Sequence, residues 1–438
     1  MIDHELVRNL RMQVADRLNE QRRRDQISGV AAMSAEDERE YARSLIVQVL
    51  EDHARYEVAE GRSPISPEEE ADVATAIHSA LFGVGRLQPL LENPDVENID
   101  INGHDNVFVQ YADGSERRHP PVAESDEDLV ELIQVLAAHT GLSSRPFDSA
   151  NPQLDLRLPD GSRLSAVMHV CARPSVSVRK ARLGRVFLDE LIGNGTVSSD
   201  VGSFLRAAVH ARKNIMIAGA TNAGKTTMLR ALANEIPAAE RLVTVERALE
   251  LGLGEYPDLH PNVVSFEERL PNAEGLGGVT MAELVRRSLR MNPSRVIVGE
   301  VLGDEIVTML NAMSQGNDGS LSTIHANSSL EVFNRIGTYA IQSREHLPLE
   351  ATNMLVAGAL DFVVFLRKHH DRYASDGRSS QYRVVESIRE VVGHDQQVLS
   401  SEVFAPDPEG RAAAHAPLSC AEELEDHGYR PLVHGRWI

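Results

Sequence analysis

The sequence predicts an α/β protein: a parallel-sheet domain carrying a phosphate loop, preceded by a smaller α+β domain and an N-terminal helical segment. Three observations predict it. Four short apolar runs each end in polar or glycine residues: residues 215–218 before Gly219, 242–245 before Glu246, 296–298 before Gly299-Glu300 and 321–324 before His325. In an open α/β sheet the ligand site lies outside the carboxyl ends of the strands, so these runs aim their functional residues at one edge. The first run leads into Gly219-Ala220-Thr221-Asn222-Ala223-Gly224-Lys225-Thr226, which fits G-x-x-x-x-G-K-[ST] at every fixed position. Between about residues 96 and 179 the text breaks instead into short β-like runs separated by Asn102-Gly103, Asp113-Gly114 and Asp160-Gly161, the mark of hairpins.

Taken in order, residues 1–62 place Leu6, Leu10, Val14 and Leu18, then Leu45, Ile46, Val49 and Leu50, at helical spacing. The run Arg22-Arg23-Arg24 within them reads as a solvated helix face, with a weak hint of docking at a membrane surface. Pro64 and Pro67 break the pattern, and Ser66-Pro67-Glu68-Glu69-Glu70 has the cap, first-turn proline and acids of a helix start. Residues 63–183 then form the α+β domain, with strands near 98–101, 107–111, 154–158, 163–169 and 175–179 and a helix near 126–138. Its strands carry Arg157, Arg163, Arg173 and Arg179, each of which alone reads as a surface arginine. Residues 184–395 are the parallel-sheet domain, and the Ala/Pro/Glu/His-rich residues 396–438 are expected to be a loosely ordered tail.

The 438 residues carry a formal charge of −21. So acidic a surface repels phosphate backbones, which argues against a general nucleic-acid binder and requires a local basic pocket for any polyanion. Lysine is scarce: only Lys180, Lys213, Lys225 and Lys368 occur. The apolar fraction of 42% supports sizeable cores, and the longest apolar stretch, residues 354–366, is interrupted by Asp361 and too short for a hydrocarbon layer of about 30 Å. Acids at Asp3 and Glu5 stand where a signal peptide carries basic residues, and Cys171 and Cys420 form no disulfide framework. A cytoplasmic protein is expected.

The phosphate loop explains its own spacing. Its glycines let successive backbone N–H groups turn inward around phosphate oxygens, and the helix that follows through Thr227 presents its positive end. Lys225 is positioned to reach the β- and γ-phosphates and the Thr226 hydroxyl to bind Mg²⁺, so ATP and Mg²⁺ are the expected cofactors. Neither an LSGGQ-like signature nor a guanine-specifying N-K-x-D run is present, and the run at 296–300 ends in Gly-Glu rather than Asp-Glu.

These residues resemble the secretion ATPases of type II, type IV and pilus-assembly machines, and within them the CpaF/TadA branch of tight-adherence pili in an actinobacterial-like form. The likeness runs from about residue 81 to 391 and includes Gly85-Arg86-Leu87-Gln88-Pro89-Leu90-Leu91, Leu158-Pro159-Asp160-Gly161-Ser162-Arg163 and the block from Arg290 through Val298-Gly299-Glu300-Val301 to Asn327, in which Asn311 to Gly319 point to the branch. The four-cysteine zinc module usual in type II members is missing. The resemblance implies a RecA-like P-loop ATPase domain and a homohexameric motor that hydrolyses ATP at an inner-membrane platform protein, peripheral to the cell membrane, for pilus assembly or secretion. It implies that Glu246 and Glu250 form the acidic "Asp box", with Glu246 taking the attacking water's proton. Glu300 is then the Walker B acid that holds Mg²⁺ through water, and His325 senses the γ-phosphate. It further implies that arginines of the smaller domain reach a neighbouring subunit's nucleotide: Arg157, Arg163 and Arg179, with Arg287 and Arg290 as further candidates.

Three positions depart from that pattern: Arg247 where an aspartate is usual, Leu302 where an arginine is usual, and Asn317 in place of a first His-box histidine. An acid and an arginine lost together imply either slowed hydrolysis or a compensated change without effect on rate. Two other functions remain open at this point: an ATP-binding assembly or regulatory module that hardly hydrolyses, and a DNA-transfer traffic ATPase, which the acidic balance disfavours.

Overall fold

Apolar residues recurring every three or four positions bury one stripe of α1 (His4–Ser28) and α2 (Ala35–Ala59) against each other and against α3 (Pro67–Phe82). The structure, a computed structural model, describes residues 4–28, 33, 35–82, 85–140, 147–158, 160–180, 185–269, 271, 275–371 and 380–430. Pro159 and the side chain of Arg22, both used in the sequence reading, lie outside them. The chain divides into two compact units, Met1–Lys180 and Ala181–Ile438.

In the first unit Ser66 and Glu69 cap the start of α3 reciprocally: Ser66 Oγ accepts from the Glu69 N–H at 3.2 Å, and Glu69 accepts from the Ser66 N–H at 3.0 Å. Val73 and Ile77, one turn apart, then pack with Leu10, Val14 and Val49. The expected boundary after residue 62 therefore separates α3 from its packing partners. A proline pair stops a helix without ending the core that the next helix completes. The rest of the unit is α4 (Gln88–Glu92), β1 (Val96–Asn102), β2 (Val107–Tyr111), β3 (Glu116–His119), α5 (Asp126–Thr140), β4 (Gln153–Arg157), β5 (Arg163–Val167) and β6 (Ser175–Arg179). The strands form an antiparallel sheet in the order β3-β2-β1-β6-β5-β4. One face packs on α5 through Leu129 and Ile133.

The second unit runs α6 (Leu188–Gly193), α7 (Ser199–His210), β7 (Ile215–Gly219), α8 (Lys225–Ala233), β8 (Leu242–Glu246), β9 (Val263–Glu267), α9 (Met281–Ser288), β10 (Arg295–Val301), α10 (Glu305–Ser314), β11 (Leu321–His325), α11 (Glu331–Gln342), α12 (Leu349–Ala359), β12 (Phe362–Asp371), β13 (Ser380–Asp395), β14 (Gln397–Pro406), β15 (Ala412–Ala414) and α13 (Ala421–Asp426). Its nine strands are ordered β15-β14-β13-β12-β7-β11-β10-β8-β9. The six from β12 to β9 pair in parallel, and the other three continue as antiparallel hairpins. Helices α6, α7, α8 and α13 bury one face and α9 to α12 the other, so the central strands are apolar on both sides, as a covered parallel sheet requires. This is the RecA-like arrangement.

Two buried polar groups hold the sheet end away from the phosphate loop. Asn214, just before β7, donates to the carbonyls of Met313 (3.2 Å) and Ala359 (2.7 Å) and accepts from the Ser320 N–H (2.9 Å). Arg295, fully buried at the start of β10, pairs with both carboxylate oxygens of Glu240 at 2.6 and 2.9 Å and donates to the Val209 carbonyl at 2.8 Å. Residues 396–430 of the expected loose tail instead supply β14, β15 and α13, and residues 431–438 lie outside the described residues. Val403, Phe404, Ala412, Leu424 and Tyr429 are buried in the core that contains α7. Glu390 of β13 accepts hydrogen bonds from the Ser419 N–H and hydroxyl, which anchors the last helix.

Candidate functional site

The backbone of the phosphate loop is set by three residues. Asn222 (φ 60°) and Gly224 (φ 95°) are left-handed, and the alternation turns successive N–H groups inward, a concavity that fits phosphate oxygens. Gly219 is excluded from carrying a side chain, because a Cβ there would stand 2.6 Å from the Leu366 carbonyl oxygen. Helix α8 then begins at Lys225 with no acid in its first turn, leaving its positive end available to an anion. Thr226 and Thr227 lie in that first turn, Thr226 half-buried and Thr227 exposed.

Three of the expected side chains meet at the loop. Lys225, buried, donates to the Ala220 carbonyl at 3.2 Å, and its Nζ stands 3.2 Å from Nδ1 of His325 and 3.7 Å from a carboxylate oxygen of Glu300. His325 Nε2 is 2.8 Å from the same Glu300 oxygen. Lysine can only donate and a carboxylate can only accept, so the neutral ring donates from Nε2 to Glu300 and receives Lys225 at Nδ1. Burial lowers the His325 pKa, and the Lys225 charge lowers it further against the opposing pull of Glu300. A neutral imidazole at pH 7 follows.

Strand order explains the convergence. β11 lies between β7 and β10, so His325 at its end stands between Lys225 and Glu300. Glu300 is re-aimed by a bulge: Val298 pairs with Ser322 and Val301 with Ile324, three steps on β10 against two on β11. The freed Gly299 carbonyl is taken by the Thr323 hydroxyl at 2.7 Å. Gly299 also leaves room for its neighbour, since a Cβ there would lie 3.0 Å from Cγ of Glu246. Thr323→Val keeps the shape but removes the donor. We expect a stability loss of about 1–2 kcal/mol in urea unfolding and a roughly tenfold or greater fall in ATP turnover as Glu300 loses its aim.

Glu246 is placed differently. Its strand is three spacings from β7, about 14 Å at the backbone. Its buried carboxylate accepts from the N–H groups of Glu250 (2.8 Å) and Leu251 (2.9 Å), fixing the turn after β8. The Glu250 carbonyl in turn accepts from Arg230 of α8. Arg247 pairs with Glu268 at 3.2 Å, and Leu302 receives its order through its backbone N–H, which donates to the buried Glu305. Asn317 sits at the opposite end of β11 from His325, where it donates to the Ala312 carbonyl at 3.3 Å. In the first unit Arg157, Arg163 and Arg179 stand opposite one another on β4, β5 and β6, in one row on the face away from the core. Arg287 and Arg290 are exposed at the end of α9 and just after it.

Sequence reasoning missed Thr323, Glu268 and Arg383, which donates from Nε to the Asn222 carbonyl at 2.9 Å. A threonine in an apolar strand or an arginine in a distant hairpin carries no motif, and only the pairing registers expose their roles.

A doubly wound sheet with a left-handed phosphate loop, a buried lysine and a neighbouring histidine and carboxylate at the strands' carboxyl edge defines a RecA-like P-loop protein. The chain belongs to the type II/IV secretion system protein family, whose sequence profile matches residues 82–394. It is 35% identical over 265 residues to a Mycobacterium tuberculosis protein named for conjugal transfer, covering 58% of this chain and 72% of that one. It is 29% identical to the type IV secretion system protein VirB11 of Brucella suis, over 72% of this chain and 92% of the other. Against a crystal structure of the Brucella suis VirB11 ATPase with sulphate the identity is 28%, the coverage 72% and 95%, and the TM-score 0.35.

Proposed function

We propose that the protein is an ATP-hydrolysing motor of a type II/IV secretion-type machine, acting as a homohexameric ring on the cytoplasmic side of a membrane platform protein. The observation that carries this reading is the meeting of Lys225, His325 and Glu300 beside the left-handed phosphate loop. Among the described residues no helix is long and apolar enough to cross a membrane, so attachment through a partner suits the reading.

The loop N–H groups and the start of α8 hold the phosphates, and Lys225 exchanges His325 and Glu300 for β- and γ-phosphate oxygens. The Thr226 hydroxyl would hold Mg²⁺ directly and the Glu300 carboxylate through a bound water, which suits an ion that takes its other ligands from phosphates and water. Bound Mg²⁺ supplies charge neutralisation on the transferred phosphoryl group. His325 senses the γ-phosphate in this reading only by donating to it, so once Lys225 leaves, the ring must take a second proton at Nδ1 or turn its one N–H from Glu300 to the phosphate. Glu246 stays the candidate acceptor of the attacking water's proton through Oε1, since the Glu250 and Leu251 amides both hold Oε2. The Arg247–Glu268 pair favours the compensated view of the Arg247 and Leu302 departures over slowed hydrolysis. Arg157, Arg163 and Arg179 remain candidates for charge contacts to a neighbouring subunit's nucleotide.

The relatives named for VirB11 and conjugal transfer support a type IV secretion substrate over the pilin of the CpaF/TadA branch, which rests on the motifs around residues 311–327. They also favour a second reading, a DNA-transfer ATPase, against which stands the charge of −21. Phosphate release by the purified full chain with MgATP decides. Glu300→Gln is expected to retain ATP binding and to lose roughly 10²-fold or more in turnover. Equally negligible rates in the two proteins would leave an assembly or regulatory module, equally fast rates would remove Glu300 from the chemistry, and a salt-dependent gel shift with DNA would revive the DNA reading.

A further inference from the structure

We infer that Arg383 is a positioning residue that holds the phosphate loop in its binding shape before nucleotide arrives; this rests on the nucleotide-binding reading of that loop. The loop contains two left-handed residues, Asn222 and Gly224, and Arg383 engages both. Its Nε donates to the Asn222 carbonyl at 2.9 Å, and its Cδ lies 3.3 Å from where a Gly224 Cβ would stand. The one turn-type bond recorded inside the loop, Ala223 N–H to the Ala220 carbonyl at 3.2 Å, does not involve the Asn222 carbonyl. A non-glycine residue in the left-handed region carries a conformational cost, and it persists where surrounding contacts over-determine it. Arg383 supplies such a contact.

The contact reaches the loop from 161 residues away in sequence through sheet register. Leu366 of β12 pairs with Gly219, and Lys368, two residues further along β12, pairs with Arg383 of β13. The β12–β13 hairpin thus overhangs the loop by those two residues, and Arg383 reaches down from it. The nucleotide-free loop is therefore shaped from two sides, by the helix start at Lys225 and by the hairpin.

The side chain offers a clean dissection, because the Nε2 of glutamine occupies the place of the arginine Nε, whereas methionine keeps the stem and removes the donor. With Arg383→Met the KM for MgATP is expected to rise about tenfold while kcat stays within about twofold, the signature of lost loop preorganisation. MgADP affinity by calorimetry is expected to fall by the same factor, and amide exchange of residues 220–224 in the nucleotide-free protein to speed up. Arg383→Gln is expected to restore most of all three without restoring the charge. Two results would overturn the inference: unchanged exchange and KM in the methionine variant, or a glutamine variant as impaired as methionine, which would place the charge on the phosphates instead. If the unaltered protein binds no MgADP, the nucleotide reading fails, and the exchange of residues 220–224 still tests Arg383 by itself. Matching urea midpoints among the variants keep a general loss of fold from imitating either outcome.

Discussion

Lys225→Ala is expected to lower ATP turnover by about 10³-fold, measured as phosphate release at saturating MgATP. The scale is that of removing one preorganised donor from a developing anion in a water-poor site, increased because the donor here carries a full charge. Lys225→Arg is expected to fail nearly as badly. The ammonium is buried among the Ala220 carbonyl, His325 and Glu300, and a planar guanidinium does not fit the place of a compact point charge. A spectroscopic control separates loss of chemistry from loss of fold. The Lys225 charge is one of the causes that lower the His325 pKa, while Glu300 opposes it. Removing the lysine must therefore raise the His325 pKa, and an NMR titration that finds it unchanged would contradict the network.

Arg295→Ala is expected to cost about 3–5 kcal/mol in urea unfolding, the usual penalty for stripping one partner from a buried ion pair. In a unit of this size that corresponds to a fall of roughly 10 °C in Tm. Glu240 would keep only Arg212, 2.6 Å from one carboxylate oxygen, and the Val209 carbonyl would keep only backbone donors such as the Arg212 N–H at 3.1 Å. The double variant Arg295→Met, Glu240→Leu is expected to be markedly more stable than Arg295→Ala, since it leaves no uncompensated charge inside. If the single and double variants unfold at the same midpoint, the pair is not the staple of β10 that its geometry indicates.

The parts of the site legible in the sequence are those a ligand dictates locally. Eight consecutive residues, Gly219 to Thr226, must each satisfy the phosphates or the turn, so their identities are written in order. Glu300 and His325 are legible one step less directly, through strands that end beside the loop. What escaped is held by register. Thr323 matters because a bulge frees the Gly299 carbonyl, Arg383 because β13 overhangs β7, and Arg295 because Glu240 lies 55 residues earlier. The misjudged end of the chain has the same cause. Val403 and Phe404 are a short apolar signal in polar text, and they become core only because β13 is long enough to pair with them. Pro64 and Pro67 marked a helix break correctly, but the packing of Val73 and Ile77 decides which core the next helix joins.

The pairing of β14 with β13 also bears on which backbone edges the sheet leaves open to other chains. Strand β13 spans 16 residues, and β14 covers the edge that would otherwise lie open beside β12. A bare edge of that length is a template for another chain's strand. β15 covers only residues 404–406 of β14, so the open edge is moved outward rather than abolished, and a version ending at residue 395 is expected to aggregate because it bares the β13 edge together with the core that Val403 and Phe404 cover.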